Sequence, residues 1–260
     1  MTTNLAGRTA LVTGSTSGIG LAIARRLARD GAAIVAHGLG SADDNAGALR
    51  EIAAASSQPV RFIGADLRRR GEIEGMMAEL DAGLDILVNN AGMQRVASIV
   101  DFAPGDWDDM LAVNLSASFH TIRLALAGMR RRAWGRIVNI ASVSGLVAAP
   151  NKAPYAATKH GLVGLTKAVA LETATDPVTC NAVCPGWVLT PLVERQVQAI
   201  AERDGLPFEA AAARLIGLKQ PSRAFVRADD VAAVVSFLCS DAGEQVRGAT
   251  WTMDGGYVAA

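Results

Sequence analysis

A short apolar run, Thr9 to Thr13, breaks into Gly14-Ser15-Thr16-Ser17-Gly18-Ile19-Gly20 and then into a helical pattern that lasts through Ala28. Few features narrow the choice of fold as far. A strand that feeds a helix through a glycine-rich turn opens a strand–helix–strand unit, and the same pattern recurs down the chain. Strand-type runs fall at 33–36, 60–64, 85–88, 136–141, 179–183 and 250–253, with helical patterns at 42–55, 69–80, 107–129, 155–173 and 229–238 between or after them. No linker or composition shift interrupts the alternation over 260 residues. It predicts one α/β domain, residues 1–260, built as a Rossmann-like, doubly wound parallel sheet of about seven strands with helices on both faces. Half of the residues are hydrophobic, enough to cover both faces of such a sheet.

One segment departs from the alternation. Leu192 to Leu218 is helical but mostly surface-patterned, and Leu206-Pro207 breaks it. The spacing predicts a small lid of two jointed helices over residues 190–220, closing on ligand and excluding water.

Charge removes several function classes. Lys plus Arg (25) balance Asp plus Glu (25), so no global field draws the chain to nucleic acid or to an anionic membrane. The arginine runs 68–70 and 130–132 sit beside turn signals and read as solvated charge. The first residues, Met-Thr-Thr-Asn-Leu-Ala-Gly-Arg, lack an apolar signal core, and no uncharged run is long enough to span a bilayer. A cytoplasmic location is expected. The three cysteines fit a reducing compartment. Cys180 and Cys184 share one extended run, too far apart to bridge, and all three read as core residues. His37, His120 and His160 show no ligand spacing, so no metal is expected.

In a doubly wound sheet, ligands sit beyond the carboxyl ends of the strands. Gly14 permits the tight turn there, Gly18 lets backbone approach a pyrophosphate, and Gly20 lets helix pack on strand. The spacing is Gly-x-x-x-Gly-x-Gly rather than Gly-x-Gly-x-x-Gly. After the second strand an acidic residue marks NAD enzymes and an arginine marks NADP enzymes. Here the chain reads His37-Gly38-Leu39-Gly40, and with no cation for a 2′-phosphate NAD is favoured by elimination. Asp66-Leu67, Asn90-Ala91-Gly92, Ser142 and Pro185-Gly186-Trp187-Val188-Leu189-Thr190 all fall at later strand ends. Asp66 equally suits an N-cap for the helix that follows. Asn114 lies on a helix. Tyr155 and Lys159, four residues apart, share one face of another, and Pro150 and Pro154 suit a loop leading into its first turn.

Taken together, Thr13-Gly-x-x-x-Gly-Ile-Gly, Asn89-Asn-Ala-Gly, the upstream Ser142, Tyr155-x-x-x-Lys159 and the Pro185-Gly turn resemble the short-chain dehydrogenase/reductase family over nearly the whole chain. That resemblance implies hydride transfer between a secondary alcohol and NAD in a homotetramer. It implies catalytic roles for Asn114, Ser142, Tyr155 and Lys159. It also implies cofactor contacts from Gly14, Ser15, Thr16, Ser17, Gly18, Ile19, Gly20, Leu39, Asp66, Leu67, Asn90, Ala91, Gly92, Tyr155, Lys159, Pro185, Gly186, Val188 and Thr190. Tyr155 would be the base, Ser142 would hold the substrate oxygen, and Asn114 would anchor a water relaying protons from Lys159. Bringing a phenol's pKa from about 10 to about 7.5 takes roughly 3 to 4 kcal/mol. An ammonium about 4 Å away supplies about that much at an effective dielectric near 20. Lys159 is therefore expected to acidify Tyr155.

Within the family the likeness is to bacterial D-3-hydroxybutyrate dehydrogenases, carried by Asn-Asn-Ala-Gly-Met-Gln94, Gly-Leu-Val-Ala-Ala-Pro-Asn-Lys152, Cys-Pro-Gly-Trp187 through Gln196, and Lys219-Gln-Pro. A short hydroxy acid needs a cation and amide donors for its carboxylate. Lys152, Gln94 and Gln196 fit that need and Trp187 offers an apolar wall, with Ser142, Ser144, Tyr155 and Tyr257 completing the substrate set. Two positions depart from that group: Ser144 stands where those enzymes carry histidine, and Tyr257 where tryptophan is usual. A hydroxyl still donates, but its shorter reach calls for an intervening water. Two alternatives stay open. One is a dehydrogenase or reductase for another small alcohol or a 3-oxoacyl thioester, the latter normally needing NADPH and a basic docking face. The other is a non-catalytic nucleotide-binding protein, which would have no need of all four residues Asn114, Ser142, Tyr155 and Lys159.

Overall fold

The computed structural model describes residues 3–80, 83–217 and 219–259. Seven parallel strands form one sheet among the described residues, in the order β3-β2-β1-β4-β5-β6-β7. They are β1 (Thr9–Val12), β2 (Ala33–Gly38), β3 (Arg61–Gly64), β4 (Ile86–Asn89), β5 (Gly135–Ile140), β6 (Val178–Pro185) and β7 (Thr250–Met253). The chain winds outward from β1 to β3, then crosses back to lay β4 beside β1 and winds the other way. The carboxyl ends of β1 and β4 therefore flank the crevice where connections diverge.

Strand alternation explains why both faces are covered. Ala10 and Val12 of β1, Ile34 and Ala36 of β2, Ile86 and Val88 of β4, and Val138 and Ile140 of β5 face one cluster. Leu11, Val35, Leu87 and Ile137, the residues between them, face the other. Each such Val, Leu or Ile contributes roughly 1.5 to 3 kcal/mol when withdrawn from water. The first face is covered by α1 (Gly18–Arg29), α2 (Ala46–Ala53) and α9 (Ala228–Cys239), the second by α3 (Arg70–Ala78), α5 (Ala117–Arg131) and α6 (Ala153–Glu172). Cys180, Cys184 and Cys239 are buried free thiols, as the spacing of the first two required.

A polar ladder runs through the second face. Asn89 of β4 donates to Asn139 of β5 at 2.9 Å and accepts from Thr121 of α5 at 2.7 Å. Asn139 in turn donates to Thr166 of α6 at 2.8 Å. Two paired strands are thereby keyed to the two helices that follow them, and because every polar atom so placed has a partner the ladder specifies rather than costs.

The long helix expected at 107–129 is not continuous. α4 (Pro104–Leu111) gives way to a π turn, Ala112–Ser116, before α5 begins. A π turn admits one extra residue and re-aims side chains, and Asn114 lies within it. The whole helical segment Pro104–Arg131 is long and apolar enough by composition to cross a membrane. Its inner face, including Ala117, Ile122, Ala125 and Met129, packs on the sheet and α3.

Beyond β6 come α7 (Pro191–Asp204) and α8 (Phe208–Gly217), joined where Gly205 adopts φ +65° and Pro207 follows. This pair has its own apolar cluster of Val193, Val197, Ala201, Ala211, Ala212 and Leu215. The break fell where Leu206-Pro207 put it; Leu218, the last residue of the expected helical stretch, lies outside the described residues.

Candidate active site

A cavity of about 1200 Å³ opens at the carboxyl ends of the strands and runs from the glycine loop to the helical pair. Its floor has room only for glycine at two points. A Cβ on Gly20 would stand 2.2 Å from the Gly14 carbonyl oxygen and 2.4 Å from Asn90 Nδ2. Gly14 itself has φ +63°, and a Cβ there would lie 3.0 Å from Ala91 Cα. α1 thus seats directly on the loop, and backbone lines the cavity. Thr13 and Asn90 fasten this arrangement. Thr13 Oγ1 accepts from the N–H groups of Asn90 and Ala91 at 2.9 and 3.0 Å. Asn90 Nδ2 donates to the carbonyls of Thr13 and Gly14 at 2.8 and 3.1 Å.

Of the expected cofactor residues, Gly14, Thr16, Ser17, Gly18, Ile19, Gly20, Leu39, Asp66, Leu67, Asn90, Ala91, Gly92, Tyr155, Lys159, Pro185, Gly186, Val188 and Thr190 all line the cavity. Ser15 does not: it is fully buried, its Oγ accepting from the His37 N–H at 2.9 Å. Loop residues were expected to face the ligand together, but the chain turns Ser15 inward to hold β2. Asp66 lines the cavity and is not an N-cap. The residue before α3 is Arg69, which makes no side-chain cap bond. The Asp66 carboxylate accepts instead from Arg68, at 2.7 Å from Nη2, and this holds it below its ordinary range.

The catalytic candidates converge on one wall. Ser142 lies two residues beyond the end of β5, and its Oγ accepts from the Ser144 N–H at 3.1 Å. A Cβ on Gly145 would meet the Lys159 carbonyl at 2.7 Å, so the turn after Ser142 packs directly on the α6 turn carrying Lys159. Lys159 Nζ donates to the Ile140 carbonyl at 2.8 Å and lies 5.7 Å from the centre of the Tyr155 ring. Asn114 is buried and does not line the cavity. Its Oδ1 accepts from the Met93 N–H at 2.8 Å and its Nδ2 donates to the Met93 carbonyl at 2.9 Å. A link at 3.3 Å to Thr158 connects it to α6. Asn114 and Lys159 still reach the same place: a Cβ on Gly92 would come within 3.3 Å of Asn114 Oδ1 and 3.7 Å of Lys159 Nζ.

The electrostatics differ from the expectation. Burial pushes the Tyr155 phenol up, with Ser142 beside it acting the other way. The same burial lowers Lys159 to about 8. Desolvation is the first cause of both shifts, because burial disfavours whichever form carries the charge.

At the far end Lys152 Nζ sits 4.5 Å over the Trp187 ring and Lys219 Nζ 5.5 Å over Tyr257. Lys152 makes no ion pair with a carboxylate among the described residues, and burial, with Lys219 nearby, lowers it to about 8. Gln94 accepts from Gln196 Nε2 at 3.5 Å, while its own Nε2 is buried without a hydrogen-bond partner. Gln94, Ser142, Ser144, Lys152, Tyr155, Trp187, Gln196 and Tyr257 share this cavity.

Thr158 gave no functional signal in the sequence, and Thr13, His37 and Gln220 entered only as members of motifs, without a role of their own. Gln220 is buried, accepts from the Trp187 N–H at 3.1 Å and donates to the Ala224 carbonyl. His37 lies under the glycine loop, its ring bonded to Gly14 and Ala65. Arg68 also lines the cavity, a guanidinium that the reading of the turn after the second strand did not include. It comes from the segment after β3, thirty residues from Gly38 in the chain, so only the folded sheet brings it there.

Comparison with known proteins agrees with this geometry. The family model described as short chain dehydrogenase matches residues 8–201. The chain is 56% identical over 260 residues to a D-beta-hydroxybutyrate dehydrogenase of Cupriavidus necator, covering 98% of this chain and 99% of that one. It is 49% identical over 255 residues to a protein of the same name from Rhizobium meliloti, covering 97% and 99%. Among solved structures, L-sorbose reductase from Gluconobacter frateurii, complexed with NADPH and L-sorbose, superposes with a TM-score of 0.94 at 27% identity over the full length of both chains. An actinorhodin polyketide ketoreductase with NADPH gives 0.89 at 35% identity, covering 96% of this chain and 97% of that one. With its glycine-lined floor, its Ser142–Tyr155–Lys159 wall and these relatives, the chain belongs to the short-chain dehydrogenase family and takes a nicotinamide cofactor.

Proposed function

We propose that the protein is an NAD-dependent dehydrogenase interconverting D-3-hydroxybutyrate and acetoacetate. The observation that carries the substrate class is Lys152: a half-buried ammonium with no carboxylate beside it among the described residues, facing the same cavity as the unpartnered Nε2 of Gln94. Burial of an unpaired charge is unfavourable unless something else supplies the counter-charge. A small carboxylate does so, with Gln94 Nε2 as a second donor and Trp187 as the apolar side. The relatives named D-beta-hydroxybutyrate dehydrogenase support the same substrate.

A dinucleotide held by the glycine loop, Asn90 and Thr190 would supply the hydride acceptor and, when oxidised, a positive charge near Tyr155. The residues of the chain manage the proton. Ser142 hydrogen-bonds the substrate oxygen, and Tyr155 takes the alcohol proton in oxidation or returns it in reduction. Lys159, held by the Ile140 carbonyl, stabilises the phenolate. Asn114 fixes the Met93 backbone and, with Lys159, borders the space above Gly92, where a water relays the proton outward. α7 and α8, residues 190–220, act as a lid whose Gln196 reaches the substrate end.

NAD is favoured over NADP because Arg68 is committed: its guanidinium pairs with Asp66 at 2.7 Å and with Asp109 at 3.2 Å. A 2′-phosphate would face those carboxylates. The test is a rate survey with NAD and NADP over D-3-hydroxybutyrate and neutral secondary alcohols. Oxidation of the hydroxy acid with NAD is the expected result. Turnover of neutral alcohols alone would refute the carboxylate reading, and preference for NADP would refute the cofactor reading.

A further inference from the structure

His37 sits on β2 at the floor of the cavity and is 3% exposed. Its ring is held at both nitrogens by backbone groups of opposite kind. The Gly14 N–H donates to Nδ1 at 3.1 Å, and Nε2 bonds the Ala65 carbonyl at 3.1 Å. An amide N–H can only donate and a carbonyl can only accept. The ring therefore carries its proton on Nε2 and presents a lone pair at Nδ1, which is the neutral imidazole. The backbone of the same residue completes the attachment: the His37 N–H donates to Ser15 Oγ at 2.9 Å, and its carbonyl accepts the Ser15 N–H at 2.9 Å. One residue thus fixes the first two residues of the glycine loop to β2 and joins them to the end of β3.

We propose that His37 is a proton-sensitive latch on the dinucleotide loop: the neutral ring holds Gly14 in the cofactor-binding position, and protonation releases it. In the imidazolium both nitrogens carry hydrogen, so Nδ1–H would point at the Gly14 N–H, turning an attraction into a clash of two donors. Released, Gly14 and the turn it begins lose the anchor that sets their place over Asn90. His37 acts through the loop and touches no reacting atom; it is a positioning residue.

The surroundings supply no ready counter-ion for the charged ring. From the segment after β3, Asp66 is paired with Arg68, which also binds Asp109 of α4. From the segment after β2, the Asp44 carboxylate accepts from Ser41 at 2.7 Å. The first turn of α1 has no acidic residue. Burial lowers the pKa of His37 below its ordinary value, with the Ala65 bond opposing more weakly. The neutral form is thus native at neutral pH. Because the folded value lies below the unfolded one, this group stabilises the fold fully above the unfolded value, and that contribution is lost as pH falls through the folded value.

The latch rests on the nicotinamide reading of the cavity, and one experiment separates the two. NADH affinity is measured by fluorescence on the full chain from about pH 8 down to about pH 5, for the native protein and for His37→Asn, whose Oδ1 accepts from Gly14 without titrating. The native Kd should rise about tenfold per pH unit once pH passes below the His37 pKa, while the variant curve stays flat. No NADH binding at any pH would refute the cofactor reading; binding with parallel curves for the two proteins would refute the latch alone. If His37→Asn fails to fold, NMR titration of the His37 ring in otherwise native protein decides, with signals assigned through His120→Gln and His160→Gln. By linkage, NADH should lower the His37 pKa further. An unchanged or raised value overturns the latch.

Discussion

The two ends of the cavity are built on opposite plans. At the glycine-loop end Thr13, Asn90, His37 and Ser15 satisfy backbone groups with backbone or neutral side chains, at distances from 2.8 to 3.1 Å for the bonds that fix the loop. At the far end, among the described residues, Lys152 has no carboxylate beside it and Gln94 Nε2 has no partner. The first end is finished before any ligand arrives, so its groups cost nothing to arrange at the moment of binding. The second is left open, and the ligand completes it. Between them stands the Ser142–Tyr155–Lys159 wall, where burial disfavours both the phenolate and the ammonium.

The largest effect should come from the wall itself. Tyr155→Phe removes the proton carrier while leaving the floor intact, so kcat should fall by about 10² to 10⁴-fold with NADH binding retained. Loss of NADH binding in that variant would mean that the wall and the floor are not separable. Lys152→Met tests the open end in two directions at once. KM for the hydroxy acid should rise by roughly 10 to 100-fold, the size of a lost charge-assisted bond. The free protein should meanwhile become more stable at pH 7. Lowering the ammonium from its ordinary value to about 8 disfavours the charged form by roughly 3 kcal/mol, of which solvent contact leaves about 1. The folded value is the depressed one, so this gain is full below pH 8 and fades as pH rises toward the ordinary lysine value. Melting curves at several pH values would show it, and a destabilised Lys152→Met would remove the contrast between the two ends.

The smallest effect should appear at the finished end. Asn90→Ala strips the side-chain donor from the Thr13 and Gly14 carbonyls and should cost about 1 to 3 kcal/mol. Each kcal/mol lowers the melting temperature by roughly 2 to 4 °C in a chain of this size. NADH affinity should fall in step with stability. A variant that binds NADH normally would show that Asn90 does not hold the loop for the cofactor.

Much of the fold was legible because its signals are local. Strand-type runs at 9–13, 136–141 and 250–253 became β1, β5 and β7 within a residue or two, and Leu206-Pro207 marked the joint between α7 and α8. Glycine spacing foretold the floor because a missing Cβ at Gly14 or Gly20 is a property of one position. The π turn at Ala112–Ser116 was not legible, since residues on either side of it are ordinary helix formers. What decides it is Met93, twenty-one residues upstream, whose backbone needs both halves of the Asn114 amide.

By itself, the sequence determined the alternating sheet and the order in which site residues arrive at strand ends. Those follow from composition and spacing along one chain. Tertiary structure alone decided which way Ser15 faces, that Arg68 meets the cavity already neutralised, that His37 braces the loop, and that burial shifts Tyr155 up and Lys159 down. The physical reason is common to all four. Hydrogen bonding and desolvation depend on what surrounds an atom in space, and for these residues the deciding neighbours come from other strands and loops.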